Sequence, residues 1–435
     1  MELSKWQQKA GLAQYICCCL LAFSFPFPFR YASICIWLLA ILWLLKGTFK
    51  DTWLQLRVNK GYWFWIGFFL LYAISYFYSA DKAQAQFEIV QRLSFILLPL
   101  LVGAGTDIDR RRWVYILLAF VAGITMAGLG CMIKAAILWK QTGDTTHMFY
   151  HELVSGLDVN AVYMAWYVVF SLSALLLFRW DDVFRGRRGI LKWMVIMVQI
   201  LFLILLSSRL LLVIFFVVTI PVYISALYRN LHLSKGRVGI IMAGFVLIIL
   251  GLVMTKNPVR QRFDDVLHND FQHSFLKDYR NDAQNFNNLT LRVFVWRIGI
   301  ENLNEHGLWW KGAGIGDVQA LQNKKIEAYG INHMDEGNHP APTMYNMNLH
   351  NMYMQTVMAL GIPGLIVFLL LIFSPLFVLT RMEDRRTFFI FHIAACAFML
   401  QESIFQTQAG IIYYTFFSVI FWKLAYQDER DSLSS

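Results

Sequence analysis

Long apolar runs, separated by short polar stretches, recur along almost the whole chain. Runs of about 17 to 25 residues are long enough to cross roughly 30 Å of hydrocarbon as helix. The pattern therefore predicts an all-α polytopic membrane protein with about twelve transmembrane helices. The predicted spans are 11–29, 31–45, 62–79, 87–105, 113–139, 159–178, 190–207, 209–228, 238–255, 351–380, 387–405 and 410–426.

One of these runs, from Ile190 to Tyr228, is interrupted strongly only at Ser207, Ser208 and Arg209. As a single helix it would be nearly twice the hydrocarbon thickness, and both of its flanks are strongly basic. Because positive residues collect on the cytoplasmic side, the chain must cross the membrane and return. We therefore predict a hairpin with Arg209 at its outer tip.

Lys and Arg residues also decide the predicted orientation of the whole chain. With the N-terminus inside, the short outer loops contain only Arg30, Lys82 and Lys140. Both termini are then cytoplasmic, and the long polar segment lies outside. The chain divides into 1–255 with the first nine helices, 256–350 as an extracytoplasmic loop with short amphipathic helices, and 351–435 with the last three helices and a cytoplasmic tail. No cleavable signal peptide is evident, because the first ten residues are polar and no small-residue cleavage site follows.

Composition supports this interpretation. The 435 residues are 58% hydrophobic, and the net charge of +10 is explained by cytoplasmic loops rather than by nucleic acid. All six Cys lie in predicted spans, so the sequence indicates neither a disulfide framework nor a thiolate metal site. In the long loop His333, Asp335, Glu336 and His339 have potential ligand atoms, but their spacing fits no helix-based zinc motif. We expect no metal and no cofactor.

The long loop contains LTLRVFVW at 289–296 and WWKGAGIG at 309–316. Apolar residues at helical spacing predict an amphipathic helix over 289–304 that lies on the membrane, with Trp296, Trp309 and Trp310 as interface anchors. Arg292 and Arg297 are on this helix and are candidate substrate-binding residues. Lipid headgroup contacts are the alternative role for both.

Three alternating glycines follow the helix. Gly312 and Gly314, with Gly316, resemble a phosphate-cradling loop, which makes the first two candidate substrate-binding residues. Walker and Rossmann loops require a preceding strand and a following helix, and neither is predicted here. Close approach of backbones at a tight turn is the alternative explanation.

Charged side chains inside predicted spans are functional candidates because burying them in lipid is costly. The four are Arg92, Lys134, Arg209 and Glu402. Lys134 is close enough to the interface to snorkel. Arg92 is either a ligand-binding residue or the partner of Glu88 in an i,i+4 ion pair. A hairpin tip does not require an Arg, so we expect Arg209 to be functional.

His350 is the candidate general acid or base. It stands where the long loop enters span ten, and imidazole titrates near neutral pH. The adjacent Asn351 is a candidate substrate-binding residue. A lone His at an interface is more often structural, so the assignment rests on the surrounding motifs.

The order of these motifs resembles the O-antigen ligase and polymerase superfamily of bacterial envelope membrane proteins. The motifs are SSR at 207–209, LTLRVFVW, GAGIG at 312–316 and HNMYMQTVMALGIPG at 350–364. The resemblance implies a GT-C-like fold with a periplasmic loop between helices nine and ten. It implies that Arg209 and Arg292 hold the donor's pyrophosphate and that His350 acts on the acceptor hydroxyl. The family often has a Glu where this chain has Ala359, so any carboxylate role is absent or is displaced to Glu402.

The function that the resemblance implies is metal-independent, inverting glycosyl transfer at the periplasmic face of the inner membrane. An undecaprenyl-pyrophosphate-linked glycan would move onto lipid A-core oligosaccharide in lipopolysaccharide biosynthesis. The expected partners are that donor, a lipid A-core or other glycan acceptor and membrane lipids, without nucleic acid. Alternatives are an O-antigen or exopolysaccharide polymerase, a protein O-oligosaccharyltransferase and, from another class, a secondary transporter.

Overall fold

The computed structural model describes residues 4–178, 188–231, 271–279, 286–331, 346–378 and 384–434, with residues 180, 183, 184, 186 and 244. Within these ranges it contains helices and connecting turns but no strand. The α-helices are α1 Lys5–Ser24, α2 Arg30–Lys46, α3 Phe49–Val58, α4 Tyr62–Tyr78, α5 Lys82–Gln91, α6 Ser94–Leu98, α7 Arg110–Thr142, α8 Tyr150–Val154, α9 Ala161–Leu177, α10 Arg188–Leu206, α11 Arg209–Val213, α12 Ile220–Leu231, α13 Asn288–Glu305, α14 Val318–Ala328, α15 Met352–Phe373, α16 Pro375–Val378, α17 Arg385–Met399 and α18 Gln408–Ser434. The π-helical turns Pro99–Ala104 and Ile214–Thr219 continue α6 and α11, and 3₁₀ turns occur at Thr145–Met148, Phe271–Phe275 and Ile404–Gln406.

Six of the described helical segments are long and apolar enough to cross a membrane, or seven if α2 and α3 count as one span bent by 113°. Two shorter apolar helices, α4 and α9, coincide with predicted spans. The chain is thus an all-helical, multi-pass membrane protein in the described part. Twelve spans, the GT-C-like arrangement and the sidedness stay predictions, and predicted span nine lies outside the described residues except for residue 244.

Several predicted spans are broken where the sequence suggested continuous helices. Span four begins earlier, at Lys82, and its helix is interrupted at Arg92 before α6. Span ten contains a kink, since Gly361 has φ 67° and ψ −170°. Span eleven ends at Met399, so Glu402 lies in the turn between α17 and α18 rather than inside a helix. Hydropathy averaged over a whole span does not reveal such breaks, because apolar residues outnumber the few polar ones at each break.

Helix α18 is the most enclosed of the candidate spans, and its aromatic side chains form the centre of the bundle. Tyr414 stacks on Phe391 of α17, with ring centroids 5.7 Å apart. Phe417 contacts Phe170 of α9 at 4.8 Å between centroids. Aromatic pairs of this kind fix helix positions in lipid, where the hydrophobic effect contributes little to helix association.

Helix α13 confirms the predicted loop helix but not its predicted placement on the membrane. Its apolar residues Val295, Ile298 and Leu303 are each at most 2% exposed. They are enclosed because α13 packs against α14, α15 and the 3₁₀ turn Phe271–Phe275. Periodicity shows which face of a helix is apolar but not whether protein or lipid covers it. Trp310 is 73% exposed, and its role as an interface anchor stays a prediction.

We predict that this loop region lies on the extracytoplasmic side of the membrane. Lys and Arg residues are concentrated in the segments assigned to the cytoplasmic side. In a cysteine-free background, Lys311→Cys should react with a membrane-impermeant thiol reagent in cells with a permeabilised outer membrane. Lys50→Cys, at the other predicted side, should react only after the inner membrane is opened. Both native side chains are exposed, so burial does not explain a difference. The opposite labelling pattern would mean that the predicted orientation in the membrane is wrong.

Candidate functional site

The site centres on His350, in the turn just before α15. His350 has φ 44°, a left-handed conformation that is uncommon for a residue with a side chain and occurs often at functional sites. Its backbone N–H donates to Asn348 Oδ1 at 2.8 Å. The neighbouring Leu349 is held by Gln355 Oε1, which accepts from its N–H at 3.2 Å, and by Trp296 Nε1, which donates to its carbonyl at 2.9 Å. The turn is therefore fixed from two sides.

Glu402 lies between His350 and Arg292. Its Oε2 is 3.1 Å from His350 Nδ1, and its Oε1 accepts from Arg292 Nη2 at 3.2 Å. The turn that carries Glu402 is attached to the His350 turn, because the Asn351 N–H donates to Ser403 Oγ at 3.1 Å. The exposed fractions of the three side chains, 25% for His350, 14% for Glu402 and 19% for Arg292, leave them partly accessible. We call these three residues the Arg–Glu–His cluster.

This geometry determines what each member can do. A carboxylate only accepts hydrogen bonds, so Glu402 favours the His350 tautomer with a proton on Nδ1. Nε2 is then the basic nitrogen, and a proton taken up there gives an imidazolium that the carboxylate stabilises. Arg292 also donates to the carbonyls of Gln401 and Asn288 at 3.2 and 3.0 Å. Three of its five N–H groups are thus used by described residues, and the other two can face a ligand.

Arg209 is the first residue of α11 and is half-buried. Ser207, two residues before Arg209, has φ 52°. The SSR turn, like the His350 turn, therefore contains a residue in the left-handed region. Helix α11 packs against α9 and α17, and α17 leads directly into the turn that carries Glu402. Arg209 therefore lies on a helix that contacts α17, the helix just before the turn that carries Glu402.

Arg92 follows α5 and is fully buried. The predicted ion pair with Glu88 is present, and the guanidinium lies 4.7 Å from the centre of the Tyr72 ring. Its Nε and Nη2 have no hydrogen-bond partner among the described residues. The structure thus gives Arg92 a fixed place next to Glu88, and substrate binding by Arg92 stays a prediction.

Arg297 does not join Arg292, although both are on α13. Its Nε donates to Glu301 at 2.8 Å, its Nη1 to the carbonyl of Leu276 at 2.8 Å and its Nη2 to the Tyr329 hydroxyl at 2.8 Å. The guanidinium also lies 4.7 Å from the centre of the Tyr329 ring. These contacts tie the 3₁₀ turn and the end of α14 to α13. These contacts account for Arg297 by a positioning role, and its predicted substrate contact stays a prediction.

The Glu301 carboxylate makes the packing of α13 against the 3₁₀ turn and the end of α14 sensitive to acid. Burial by itself raises the pKa of Glu301, but hydrogen bonds from Tyr329 and Arg297 outweigh it and hold the pKa below its usual value. A lowered pKa stabilises the fold above the pKa of the unfolded chain, and the stabilisation is lost as the pH falls through the folded-state pKa.

We predict that Glu301→Gln lowers the melting temperature of the purified protein at about pH 7 and reduces the further loss between about pH 5 and pH 3. Glu305→Gln is the matched control, since Glu305 is on the same helix and shares the ion-pair partner Lys325 with Glu301, but its side chain is 52% exposed and bonds neither Arg297 nor Tyr329. Thermal unfolding is measured at each pH. If Glu301→Gln loses as much melting temperature in acid as the wild-type protein does, the Glu301 carboxylate does not cause the acid sensitivity.

The predicted glycine loop does not offer free amides to a phosphate. The N–H groups of Ala313 and Gly314 donate to the carbonyls of Met358 and Ala359 at 2.7 and 3.1 Å. These two carbonyls precede the kink at Gly361, where the helix no longer supplies partners for them. A Cβ on Gly312, which has φ 71°, would overlap the backbone of Ala359. Close approach of two backbones therefore accounts for these glycines, and substrate binding by Gly312 and Gly314 stays a prediction.

Asn351 also has a structural role. It is the N-cap of α15, and its side chain accepts from the Met354 N–H at 3.1 Å. A cap satisfies an otherwise unpaired amide at the start of a helix. The cap thus positions the residue next to His350, and the predicted substrate contact by Asn351 stays a prediction.

Two cavities lie near the cluster. The polar cavity, of about 650 Å³, lies between α5, α14 and the start of α15. The apolar groove, of about 320 Å³, is lined mainly by the turns that precede α2, α9 and α18 and by the first residues of α9 and α18, and its aromatic side chains include Phe25, Phe27 and Phe29. Gln91 and Gln406 line both cavities. Amide side chains at span ends were not selected from the sequence, because a single Gln or Asn there has no distinctive motif.

Residues 193–369 match a family model described as O-Antigen ligase. The matched region contains Arg209, Arg292 and His350, whereas Arg92 and Glu402 lie outside it. No curated protein matches the chain. Among the described residues no group of His, Cys, Asp and Glu side chains is placed to hold a metal ion, and the loop residues His333, Asp335, Glu336 and His339 lie outside them.

Proposed function

From the premise that this chain is an O-antigen ligase-like membrane protein over residues 193–369, we propose that it is an inverting glycosyltransferase of the periplasmic face of the bacterial inner membrane. Its donor is a glycan linked to undecaprenyl pyrophosphate, and its acceptor is the lipid A-core oligosaccharide. The observation that carries this proposal is the position of Glu402 between His350 and Arg292.

The cluster supports a single displacement. The acceptor hydroxyl attacks the anomeric carbon of the donor sugar, and its proton passes to Nε2 of His350. The bond between that carbon and the pyrophosphate oxygen breaks, and undecaprenyl pyrophosphate leaves with the bonding electrons. Attack opposite the leaving group inverts the anomeric configuration. The proton count balances, because His350 gains the proton that the hydroxyl loses.

The two arginines fit the leaving group. Charge accumulates on the pyrophosphate as the bond breaks, and guanidinium groups bind such oxyanions through paired hydrogen bonds. Arg292 is anchored by Glu402 and by two backbone carbonyls, so its remaining donors are already oriented. In this proposal Arg209 contributes the second cation from the start of α11. No metal is required for these steps.

Deletion of the gene separates this proposal from a polymerase. Loss of a ligase should leave lipid A-core without attached glycan, while undecaprenyl-linked polymer accumulates. Loss of a polymerase should leave core with a single repeat. The glycan ladder of the lipopolysaccharide on a gel distinguishes the two results, and an unchanged ladder would contradict both functions.

A further inference from the structure

We propose that the polar cavity binds saccharide units of the substrates, and that it selects neutral or amino sugars over phosphorylated ones. The proposal rests on the proposed function for the origin of these saccharides, which belong either to the donor glycan or to the acceptor. It assigns the sugar and the pyrophosphate to different surfaces of the protein.

The walls of the cavity are unusually rich in amide side chains. Each amide presents both donors and an acceptor, which matches sugar hydroxyls, since these also donate and accept. The cavity volume of about 650 Å³ lies within the range of roughly 300 to 1,000 Å³ typical of ligand pockets. The amide residues on its surface are Gln84, Gln91, Gln319, Gln355, Gln406, Asn323, Asn346 and Asn348.

The charges on the cavity surface disfavour phosphate. The carboxylates of Asp81, Glu88 and Glu327 line it, against the single ammonium of Lys324. Carboxylates outnumber cations even when Glu88 is counted together with its partner Arg92. A phosphate group would therefore meet like charge here, whereas a neutral sugar would not and an ammonium would be attracted. The cavity thus differs in charge from a site built on Arg209 and Arg292.

Glu88 is held ready to accept hydrogen bonds. Gln84 Nε2 donates to its Oε1 at 2.9 Å, and Arg92 donates to its Oε2 from behind. Because Arg92 is fully buried and lies over the Tyr72 ring, the carboxylate cannot readily change its orientation. A carboxylate fixed in this way can accept hydrogen bonds from sugar hydroxyls without first losing side-chain entropy.

Other walls are pre-organised as well. Gln319 Nε2 donates to Asn323 Oδ1 at 3.0 Å, and Asn323 Nδ2 donates to Asn346 Oδ1 at 2.9 Å. In contrast, Gln91 and Gln406 make no side-chain hydrogen bond to the part of the chain that the structure describes. Their amides face the cavity with their hydrogen-bonding capacity unused, which suits them for a ligand.

The cavity also touches the catalytic turn. Asn348 and Gln355 line it, and they accept from the backbone N–H groups of His350 and Leu349. A saccharide in the cavity therefore lies next to the turn that positions His350. This arrangement places a sugar near the proposed base without any phosphate contact at the cavity itself.

The test measures binding directly, without turnover. Core oligosaccharide is released from the source cells by mild acid, and half is treated with phosphatase; the donor glycan is released from its lipid in the same way. Each is titrated calorimetrically into the purified full-length protein. We expect the dephosphorylated core or the donor glycan to bind, and the untreated core to bind more weakly. Gln406→Ala and Glu88→Gln should each weaken binding at least about tenfold, since hydrogen bonds to the ligand are lost.

Matched variants make the result specific. Gln86→Ala is the control, because Gln86 is an exposed residue of the same helix as Glu88 and is not part of the cavity surface. Glu88→Gln leaves a buried guanidinium without its anion and can unfold the protein. Gln91 and Gln406 also line the apolar groove, so Gln319→Ala, at a residue that lines the polar cavity but not the groove, tests the site independently. In turnover assays, a raised KM for the acceptor or for the donor identifies which saccharide occupies the cavity.

Two failures are distinguishable. If the wild-type protein transfers glycan but the cavity variants retain wild-type binding and wild-type KM for both substrates, the cavity proposal is overturned and the proposed function stands. If saccharides bind in a cavity-dependent way but no transfer occurs, the proposed function fails and the cavity site remains. His350→Ala should lose transfer while it retains saccharide binding.

Discussion

His350→Ala should lower the rate of glycan transfer at least about a hundredfold, because a positioned acid or base contributes about 10² to 10⁴ in rate. The substituted protein should still fold and bind donor, since the contacts that hold the turn come from the backbone of residues 349–351. Initial rates of transfer from a lipid-linked donor to core oligosaccharide, measured with purified protein, check this result.

Glu402→Gln tests whether the carboxylate next to His350 contributes to the rate. The amide keeps the shape of the carboxylate but removes the charge that stabilises the imidazolium, so kcat should fall while KM for the acceptor changes little. His306→Ala is the matched control, because His306 is exposed at the end of α13, away from the cluster. Full activity in His350→Ala, or a loss as large in His306→Ala, would mean that His350 is not the base.

Arg292→Ala should lower kcat/KM for the donor about a hundredfold or more, because charge-assisted hydrogen bonds to the pyrophosphate are lost. Arg292→Lys should recover little of this loss, since an ammonium cannot bond Glu402, a backbone carbonyl and a phosphate in the same geometry. Arg209→Ala should have a comparable effect on the donor. Steady-state kinetics with varied donor concentration measure all three variants.

The two arginines should differ in one respect. Arg292 also orients Glu402, so its loss should lower kcat as well as raise KM, whereas loss of Arg209 should act on the donor alone. Arg297→Ala provides a control on the same helix, and it should lower thermal stability while donor KM stays near the wild-type value. If Arg292→Lys transfers glycan at the wild-type rate, Arg292 contacts only lipid headgroups or backbone.

Much of this protein is determined by its sequence through simple periodicity. Runs of apolar residues require helices in lipid, because every backbone N–H and C=O must be satisfied within the segment. The sequence also marked the turn at Ser207–Arg209, the helix around Arg292 and the junction at His350, since polar residues at such places are costly or conspicuous. Those positions were selected because each breaks an apolar pattern.

The tertiary structure decided how these residues meet. Glu402 is 52 positions from His350 and 110 from Arg292 in the chain, and only the packing of the turn after α17 brings it between them. The GAGIG segment resembles a phosphate loop in sequence, but the carbonyls just before the kink at Gly361 accept from the N–H groups of Ala313 and Gly314. Arg297, five residues from Arg292, points to a different set of partners. Hydrogen-bond partners far apart in the chain follow from helix packing and from breaks within helices, and neither leaves a periodic signal in the sequence.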